Sequence, residues 1–266
     1  MSNLQSRVIT ALFLVFALGG VLFFAPPRAA VFAFTVIAAL AAWEWAGLMR
    51  QDRPARAMYA FVLLLFCWQI QVAAQELLPV LLMAAAVFWI AVAPLWLARK
   101  WTLAGNDFFG YLMGLLVILP TWAALLQLQA ASPWLLLAAM ALVWVADISA
   151  YFAGRAWGRH KLAPTISPGK TWEGVAGAAL GVLCYGLAVF GFSSLPATLP
   201  LALFGGALLL LTAASIVGDL FESLLKRQAG LKDSSHLLPG HGGILDRIDS
   251  LTAALPLAAL LVYILR

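Results

Sequence analysis

Long apolar runs recur from one end of the chain to the other, with short polar segments between them. Many of these runs are long enough to cross a bilayer as an α-helix, and none alternates as the strands of a membrane β-barrel do. The pattern therefore predicts an all-α, polytopic integral membrane protein with about nine transmembrane helices. The predicted spans are Val8–Phe24, Ala29–Met49, Ala57–Ala73, Leu77–Ala98, Phe109–Leu128, Pro133–Phe152, Trp172–Phe192, Leu199–Val217 and Leu251–Leu265.

The first apolar run has the position of a secretory signal peptide but not its composition. Only Arg7 precedes it, the run is long, and Pro26-Pro27 follows where a small-residue cleavage site would lie. We therefore expect a retained helix. The overall composition agrees with a membrane protein, because 64% hydrophobic and 10% charged side chains are not typical of a soluble domain. Both cysteines, Cys67 and Cys184, fall inside apolar runs and are expected to pack as small hydrophobic residues.

The lysines and arginines lie almost entirely on one side of the predicted spans. If the N-terminus and the loops after spans two, four, six and eight share a side, that side carries all but two of the 16 basic residues. The exceptions are Arg28 and Arg266. By the positive-inside rule the basic side is cytoplasmic, and the formal charge of +5 reflects orientation and anion handling. No segment resembles a nucleic-acid-binding module, so no nucleic-acid partner is expected.

One polar stretch, from Ser215 to Asp249, separates the last two apolar runs and organises the chain. It holds five of the 11 acidic residues, four basic residues and two of the three histidines. A solvated loop between helices is the ordinary explanation of such a charge run. Here, however, carboxylates continue into both flanking apolar runs, and a Gly-His-Gly-Gly turn lies between them. These features favour a functional site.

Four acidic residues lie in or at the ends of apolar spans: Glu44, Asp147, Asp219 and Glu222. A carboxylate inside a bilayer costs about 2.5–3.5 kcal/mol on insertion scales, so such residues usually face a partner or a wet cavity. Glu44, between two tryptophans, is interpreted as an interfacial carboxylate beside an aromatic belt. Asp147 shares a helical stripe with Tyr151, and the spacing leaves a binding role and a helix–helix hydrogen bond both open.

A second polar segment, Ser167–Thr171, precedes span seven and reads Ser-Pro-Gly-Lys-Thr. We predict a turn whose Lys170, hydroxyl groups and free backbone N–H groups near a helix N-terminus suit a phosphate. The segment is not a P-loop, because the glycine spacing of that motif is absent. Capping of the helix by Thr171, with Glu173 close by, is the structural alternative, and capping is compatible with binding.

Helical spacing gathers the acidic residues of the organising stretch onto two faces. Asp219 and Glu222 share a hydrophilic face at the end of span eight, and Asp246 and Asp249 share a face at the start of span nine. The two carboxylate pairs would repel each other unless a cation lay between them. Oxygen-only ligands favour Mg²⁺, Ca²⁺ or Mn²⁺, and the sequence has no Cys/His set of the zinc type. The pattern therefore indicates metal-assisted chemistry on a phosphate-rich substrate.

Ser223–Asp249 closely resembles the signature of the phosphatidate cytidylyltransferases, also called CDP-diacylglycerol synthases. The shared pattern is Ser-x-apolar-Lys-Arg, four residues, Lys-Asp, and later His-Gly-Gly-apolar-x-Asp-Arg-apolar-Asp. Ser167–Gly174 and Asp147–Gly154 are also similar to segments of that family, so the resemblance covers the C-terminal half. The positions that match the signature are Ser223, Leu225, Lys226, Arg227, Lys232, Asp233, His241, Gly242, Gly243, Asp246, Arg247 and Asp249.

The resemblance implies an enzyme of phospholipid biosynthesis in the inner (cytoplasmic) membrane, with a cytoplasmic active site. Such an enzyme converts CTP and phosphatidate to CDP-diacylglycerol and pyrophosphate with Mg²⁺. We expect a single membrane domain over residues 1–266, with residues 1–130 as scaffold and residues 131–266 as the catalytic part. The number of bound cations, one or two, and the choice between a monomer and a homodimer stay open.

The residue pattern and the resemblance together give candidate roles to individual residues. The implied catalytic residues are Asp219, Asp246, Lys226 and Arg247. The expected metal ligands are Asp219, Asp246 and Asp249. The expected substrate-binding residues are Ser167, Lys170, Thr171, Ser223, Arg227, Lys232, His241, Gly242, Gly243, Asp147 and Tyr151.

Three other functions compete with this interpretation. A CTP-dependent lipid-alcohol kinase would transfer the γ-phosphoryl group and release CDP rather than pyrophosphate. A CDP-alcohol phosphatidyltransferase also handles CDP-lipids, but its Asp-Gly-x-x-Ala-Arg run is absent from this chain. A transporter with buried carboxylates would place them near the bilayer midplane in broken helices, whereas these carboxylates lie with basic residues toward the predicted cytoplasmic face.

Overall fold

The structure, a computed structural model, describes residues 3–103, 105–192 and 200–265. Each predicted span coincides with one helix of this part of the chain, so the expected all-α membrane protein with about nine helices is confirmed. Helix α4 includes a π-helical segment, Phe88–Val92. The helices are α1 (Asn3–Phe23), α2 (Pro27–Leu48), α3 (Arg53–Val72), α4 (Ala74–Arg99), α5 (Asp107–Ala131), α6 (Pro133–Trp157), α7 (Trp172–Phe192), α8 (Leu201–Gln228) and α9 (Leu245–Ile264).

The helices α2 to α9 are long and apolar enough to cross a membrane, whereas α1 contributes a shorter apolar helix, Val8–Phe23. Two helices extend furthest beyond their predicted ends. Helix α8 continues past Val217 to Gln228, and α9 begins at Leu245 rather than Leu251. The extra turns carry charged residues that lower the local hydropathy. They remain helical because their polar face packs against a neighbouring helix, as the site described below shows.

Helix α9 forms the centre of the bundle. All of its residues from 251 to 259 are buried, and the helix contacts α2, α4, α5, α6 and α8. A helix that is apolar on every side lies either in a protein core or in a membrane, and here neighbouring helices surround it. The bundle therefore fixes the axis of α9, and its N-terminal end carries the acidic residues of the signature.

The predicted turn at Ser167–Thr171 is instead a strand, so that prediction is wrong. Strand β1 (Lys161–Ala163) pairs with strand β2 (Ser167–Thr171) in an antiparallel hairpin, with Lys161 opposite Thr171 and Ala163 opposite Ser167. Proline and glycine are tolerated here because the hairpin has only two strands, and a proline without an N–H can occupy an edge. The hairpin contacts α6, α7 and α8, which places β2 beside the acidic stretch.

Alternate loops meet at one end of the bundle. Arg50 Nη2, after α2, donates a hydrogen bond to the carbonyl of Ala229 after α8, at 3.3 Å. Gln228 Nε2 donates to the Trp101 carbonyl after α4, at 2.8 Å. At the opposite end, the rings of Phe23 and Trp134 lie 4.7 Å apart, centroid to centroid. The loops after the even-numbered helices therefore share one side, as the distribution of basic residues predicts.

Candidate active site

Lys170 joins the hairpin to helix α8. Its Nζ lies 2.5 Å from Asp219 Oδ2, while Asp219 Oδ1 accepts a hydrogen bond from Ser223 Oγ at 3.2 Å. The helical face predicted for Asp219 and Ser223 therefore exists, and the structure adds to it a lysine from a different element. The two paired side chains are 24% and 26% exposed, so substrates can reach them.

Lys226 lies between a carboxylate of its own helix and one of α9. Its Nζ is 2.6 Å from Asp246 Oδ1 and 3.3 Å from Glu222 Oε1. The lysine and both carboxylates are almost fully buried. Because a buried charge that loses its partner is strongly destabilising, these groups hold the polar ends of α8 and α9 together.

A row of carboxylates connects the two lysine pairs. Gly218 lets α8 approach α9 closely, since a Cβ atom at this position would lie 2.7 Å from the Asp249 carbonyl oxygen. Asp249 is near enough to Asp219 and Glu222 to interact with both electrostatically. Asp219 interacts in the same way with Asp147 of α6. The structure thus brings carboxylates from α6, α8 and α9 into one acidic row.

The acidic row holds more carboxylates than ammonium groups. Glu222 is buried, and neither of its carboxylate oxygens accepts a hydrogen bond from any described residue. The ammonium groups of Lys170 and Lys226 are outnumbered by the carboxylates, so the row carries excess negative charge. A divalent cation would offset that charge, and oxygen ligands suit Mg²⁺. However, no three acidic, histidine or cysteine side chains among the described residues converge tightly enough to hold a metal ion as they stand.

Asp246 is held firmly by the loop that precedes α9. Its Oδ2 accepts hydrogen bonds from the backbone N–H groups of Ser234 and Gly243, both at 2.8 Å, and from Ser234 Oγ at 3.0 Å. Only Oδ1, which faces Lys226, points toward the acidic row. Of the three predicted metal ligands, Asp219 and Asp249 therefore have more free acceptor capacity than Asp246.

The two glycines of the signature make room for these carboxylates. At Gly243 a Cβ atom would lie 2.0 Å from Ser234 Oγ and 2.6 Å from both carboxylate oxygens of Glu44. Gly242 has φ +82°, and a Cβ atom there would lie 2.8 Å from Asp246 Oδ2. Any side chain would collide with the groups that position Asp246. The loop therefore requires glycine at both positions for packing, whatever they contribute to substrate binding.

Glu44 is not an interfacial carboxylate beside an aromatic belt, and that interpretation is wrong. The side chain is fully buried and reaches the loop before α9. Its oxygens accept hydrogen bonds from Ser234 Oγ at 3.0 Å and Ser235 Oγ at 2.6 Å. They also accept from the backbone N–H groups of Ile244 at 2.9 Å and Leu245 at 2.7 Å. A carboxylate at a helix N-terminus is stabilised in this way by unpaired N–H groups and by the helix dipole.

A polar hollow of about 510 Å³ opens beside the same loop. Four residues predicted to bind substrate or to act in catalysis line it, with both cationic and imidazole groups. The buried Nδ1 of His241 has no hydrogen-bond partner among the described residues. The lining residues are Lys232, Asp233, His236, Leu238, Pro239, Gly240, His241, Gly242 and Arg247.

The remaining predicted residues make structural contacts. Thr171 Oγ1 accepts a hydrogen bond from Gly174 N at 3.1 Å. Thr171 therefore caps α7, which is the structural role considered beside phosphate binding. Arg227 Nε donates to the carbonyl of Ile166 in the hairpin at 3.5 Å and lies away from the acidic row. Tyr151 is exposed, and its hydroxyl accepts a hydrogen bond from Arg155. These contacts do not assign the three residues a substrate.

Some residues of the site were not predicted from the sequence. Glu44, Ser234 and Ser235 belong to it, and Glu173 accepts hydrogen bonds from the backbone and ring of His160 beside the hairpin. The Ser-Ser pair lies inside the signature, so its position was a usable signal. Glu44 had no such signal, because 190 residues of sequence separate it from Ser234.

Comparison with known proteins agrees with the site. The model of the cytidylyltransferase family matches residues 5–265. A phosphatidate cytidylyltransferase of Pseudomonas aeruginosa is 45% identical, over 98% of this chain and 97% of the relative. One of Haemophilus influenzae is 37% identical, over 95% of this chain and 96% of the relative. A third, of Brucella abortus, is 51% identical over 43% of this chain and 41% of the relative. The chain belongs to the cytidylyltransferase family.

Proposed function

We propose that this protein is a phosphatidate cytidylyltransferase, which converts CTP and phosphatidate to CDP-diacylglycerol and pyrophosphate. The observation that carries the proposal is the acidic row with its two lysines, built at the ends of membrane-spanning helices in a chain of this family. A lipid phosphate at the membrane surface and a soluble nucleotide can meet at such a site. A purely apolar or purely aqueous site would admit only one of them.

The reaction requires positioning more than proton transfer. An oxygen of the phosphatidate phosphate attacks the α-phosphorus of CTP and forms a new P–O bond. The bond from that phosphorus to the oxygen bridging the α- and β-phosphates breaks, and pyrophosphate leaves with the electron pair. The nucleophile is already anionic, so no strong base is needed, and the residues of the site act mainly by holding and neutralising phosphates.

The lysines and the polar hollow would bind the phosphates. Lys170 and Lys226 now neutralise carboxylates, and each could exchange a carboxylate oxygen for a phosphate oxygen without leaving the site. Lys232 and Arg247 line the adjacent hollow, whose size and cationic lining suit part of a nucleoside triphosphate. We assign the triphosphate to the hollow and the lipid phosphate to the side of the row where Lys170 and Asp219 are partly exposed.

Mg²⁺ would be held by the carboxylates of the acidic row. Asp219 and Asp249 are the principal candidates, Glu222 offers a carboxylate without hydrogen-bond donors, and Asp246 could contribute only Oδ1. When bound, the cation would supply Lewis-acid stabilisation of the charge that develops on the leaving pyrophosphate. Without it, the carboxylates would repel the phosphates that Lys170 and Lys226 attract.

We further propose that the site faces the cytoplasm, where CTP is available, and that the protein lies in the cytoplasmic membrane. The loops that build the site are the basic ones in the predicted topology. The transporter alternative is less well supported. Asp246 and Asp249 lie in the first turns of α9 beside a polar hollow, whereas transporter sites lie at the midplane between broken helices.

The decisive experiment follows the label of CTP into lipid. Purified protein is incubated with Mg²⁺, CTP labelled at either the α- or the γ-phosphorus, and one of two lipids, phosphatidate or, in parallel, a lipid alcohol such as diacylglycerol. We expect the α-label in CDP-diacylglycerol and the γ-label in pyrophosphate. Appearance of the γ-label in the lipid, with CDP as the second product, would identify a CTP-dependent lipid kinase instead. If neither the α- nor the γ-label appears in lipid, both the transferase and the kinase assignments are wrong.

A further inference from the structure

Glu44 forms a fully buried polar contact between the N-terminal helices and the loop that carries the signature. It projects from α2, is 0% exposed, and accepts hydrogen bonds from two serine hydroxyls and two backbone N–H groups. Oε1 receives the Ser235 hydroxyl and the Ile244 N–H group, and Oε2 receives the Leu245 N–H group and shares the one Ser234 hydroxyl hydrogen with Asp246. Because hydrogen bonds from the loop and from α9 reach both oxygens of this buried carboxylate, they hold the loop and the first turn of α9 against α2.

One serine links Glu44 directly to Asp246. Ser234 Oγ lies 3.0 Å from Glu44 Oε2 and 3.0 Å from Asp246 Oδ2. The Ser234 backbone N–H also donates to Asp246 Oδ2. A displacement of Ser234 would therefore move the carboxylate that faces Lys226. Glu44 acts on Asp246 through one intermediate side chain and also through the backbone of α9.

The contact requires a carboxylate at position 44. Four donors converge on two oxygens, and only an ionised carboxylate is an acceptor at both. A glutamine would turn an amide NH₂ group toward one hydroxyl and one backbone N–H group. The hydroxyl can rotate to accept, but the N–H group of Ile244 or Leu245 would lose its partner.

We propose that Glu44 is a positioning residue of the transferase reaction: through Ser234 and the first turn of α9, it holds Asp246 against Lys226 in the geometry needed for catalysis. Glu44 contacts no substrate in this assignment. Its effect should therefore fall on turnover more than on substrate affinity. The proposal rests on the proposed function for its catalytic readout, although its structural part can be tested without any substrate.

The catalytic test is a double-mutant cycle of Glu44→Gln and Ser234→Ala. We expect Glu44→Gln to lower kcat about 10- to 100-fold, because small displacements of catalytic groups have effects of that size. The KM for CTP should change by a smaller factor than kcat, although the same loop lines the hollow assigned to the triphosphate. Since both substitutions break the same link, the double variant should lose less than the product of the single losses. The proposal is wrong if the kcat loss of the double variant equals the product of the two single losses. It is also wrong if folded Glu44→Gln keeps the wild-type kcat.

Gln127→Leu is the matched control. Gln127, on α5, also makes a partly buried polar contact with α9, because its Nε2 donates to the carbonyl of Ala259 at 3.2 Å. That contact lies about 20 Å along α9 from Asp246, given a rise of about 1.5 Å per residue. The control should keep the wild-type kcat even if it lowers thermal stability. An equal loss of kcat in Gln127→Leu would mean that Glu44 acts only through general stability.

Amide hydrogen exchange provides a readout that does not depend on the reaction. Glu44→Gln should speed exchange in the segment from Ser234 to Leu245 and leave the middle of α9 unchanged, whereas Gln127→Leu should not affect that segment. Unchanged exchange there in Glu44→Gln would reject the positioning link even if the enzyme makes CDP-diacylglycerol. If Glu44→Gln does not fold, Ser234→Ala alone decides, with an expected loss in kcat of about 3- to 10-fold and a smaller change in KM. A wild-type kcat in that variant would reject the link.

Discussion

The two aspartates Asp219 and Asp246 differ in the groups that contact their carboxylate oxygens. Asp246 has one oxygen filled by the loop and the other on Lys226, whereas Asp219 shares its oxygens between Lys170 and Ser223. Asp246 is also the more buried of the two. The two aspartates therefore have different tasks. Asp246 organises the loop and the lysine, and Asp219 offers a more open carboxylate to a cation.

This difference yields a prediction about Mg²⁺. Asp219→Asn and Asp246→Asn should each abolish most turnover. Asp219→Asn should recover part of it at high Mg²⁺, with the half-saturating concentration raised more than about tenfold. Asp246→Asn should not recover, because it leaves the buried Lys226 without its closest partner and destabilises the fold by about 3–5 kcal/mol. The measurement is activity against Mg²⁺ concentration, together with thermal unfolding of each variant.

Ser250→Ala serves as the control, since its side chain is buried near the row and carries no charge. It should keep the Mg²⁺ dependence of the wild type. If Asp219→Asn and Asp246→Asn both retain wild-type rates and the same Mg²⁺ dependence, the cation lies elsewhere.

The sequence predicts residues of this site well only where they are close along the chain. Asp219 and Ser223 share a face by helical spacing, and the spacing was sufficient to find it. The partner of Asp219, Lys170, comes from a separate element, and no spacing rule relates the two. Glu44 was misread for the same reason. Its neighbours in sequence are tryptophans, but its partners in space are loop residues brought near it by the packing of α2 against the rest of the bundle.

Among the elements, the hairpin is the one that brings Lys170 to the acidic row. It is attached to α8 by Lys170 with Asp219 and by Arg227 with the carbonyl of Ile166. Thr171, the last residue of strand β2, caps the N-terminus of α7. These attachments hold Lys170 at the partly exposed edge of the acidic row, where a lipid phosphate could reach it.

Lys170→Ala should therefore lower kcat/KM by at least about 100-fold, the usual effect of removing one donor to a developing phosphate charge. The loss should be larger with respect to phosphatidate than with respect to CTP, because the hollow that suits CTP contains other cations. The matched control is Lys161→Ala, an exposed lysine of the same hairpin. Surface-dilution kinetics in mixed micelles would separate the two substrates. Near-normal activity of Lys170→Ala would restore a purely structural role for the hairpin.

The element boundaries show where hydropathy fails as a guide. The ends of α8 and α9 extend past their predicted limits because Glu222, Lys226 and Asp246 satisfy one another across the helix pair. A hydropathy average treats each of these residues as an isolated polar group. The hairpin was misread as a turn because proline and glycine usually break strands, a rule that has an exception at the edge of a two-stranded sheet.

At the scale of the whole molecule, the bundle has two chemically different ends. The loops that follow α2, α4, α6 and α8 meet at one end and hold the site, whereas aromatic residues such as Phe23 and Trp134 pack at the other. The alternation of the loops could be predicted from the sequence because the positions of lysines and arginines are visible without any contact. How the four loops interlock could not, since each of their contacts joins residues far apart in the chain.

This arrangement predicts the orientation of the protein in the membrane. In a chain with Cys67 and Cys184 replaced by alanine, single cysteines are introduced as Thr165→Cys in the hairpin turn and Arg28→Cys at the start of α2, both exposed positions. A membrane-impermeant maleimide should label Thr165→Cys only in inside-out vesicles and Arg28→Cys only in right-side-out vesicles. The reason is that the basic loops, which also build the site, should face the cytoplasm. Labelling of both cysteines from the same face would contradict the predicted number of crossings. Labelling with the two faces exchanged would place the acidic row, and therefore the proposed CTP site, on the side of the membrane that lacks CTP.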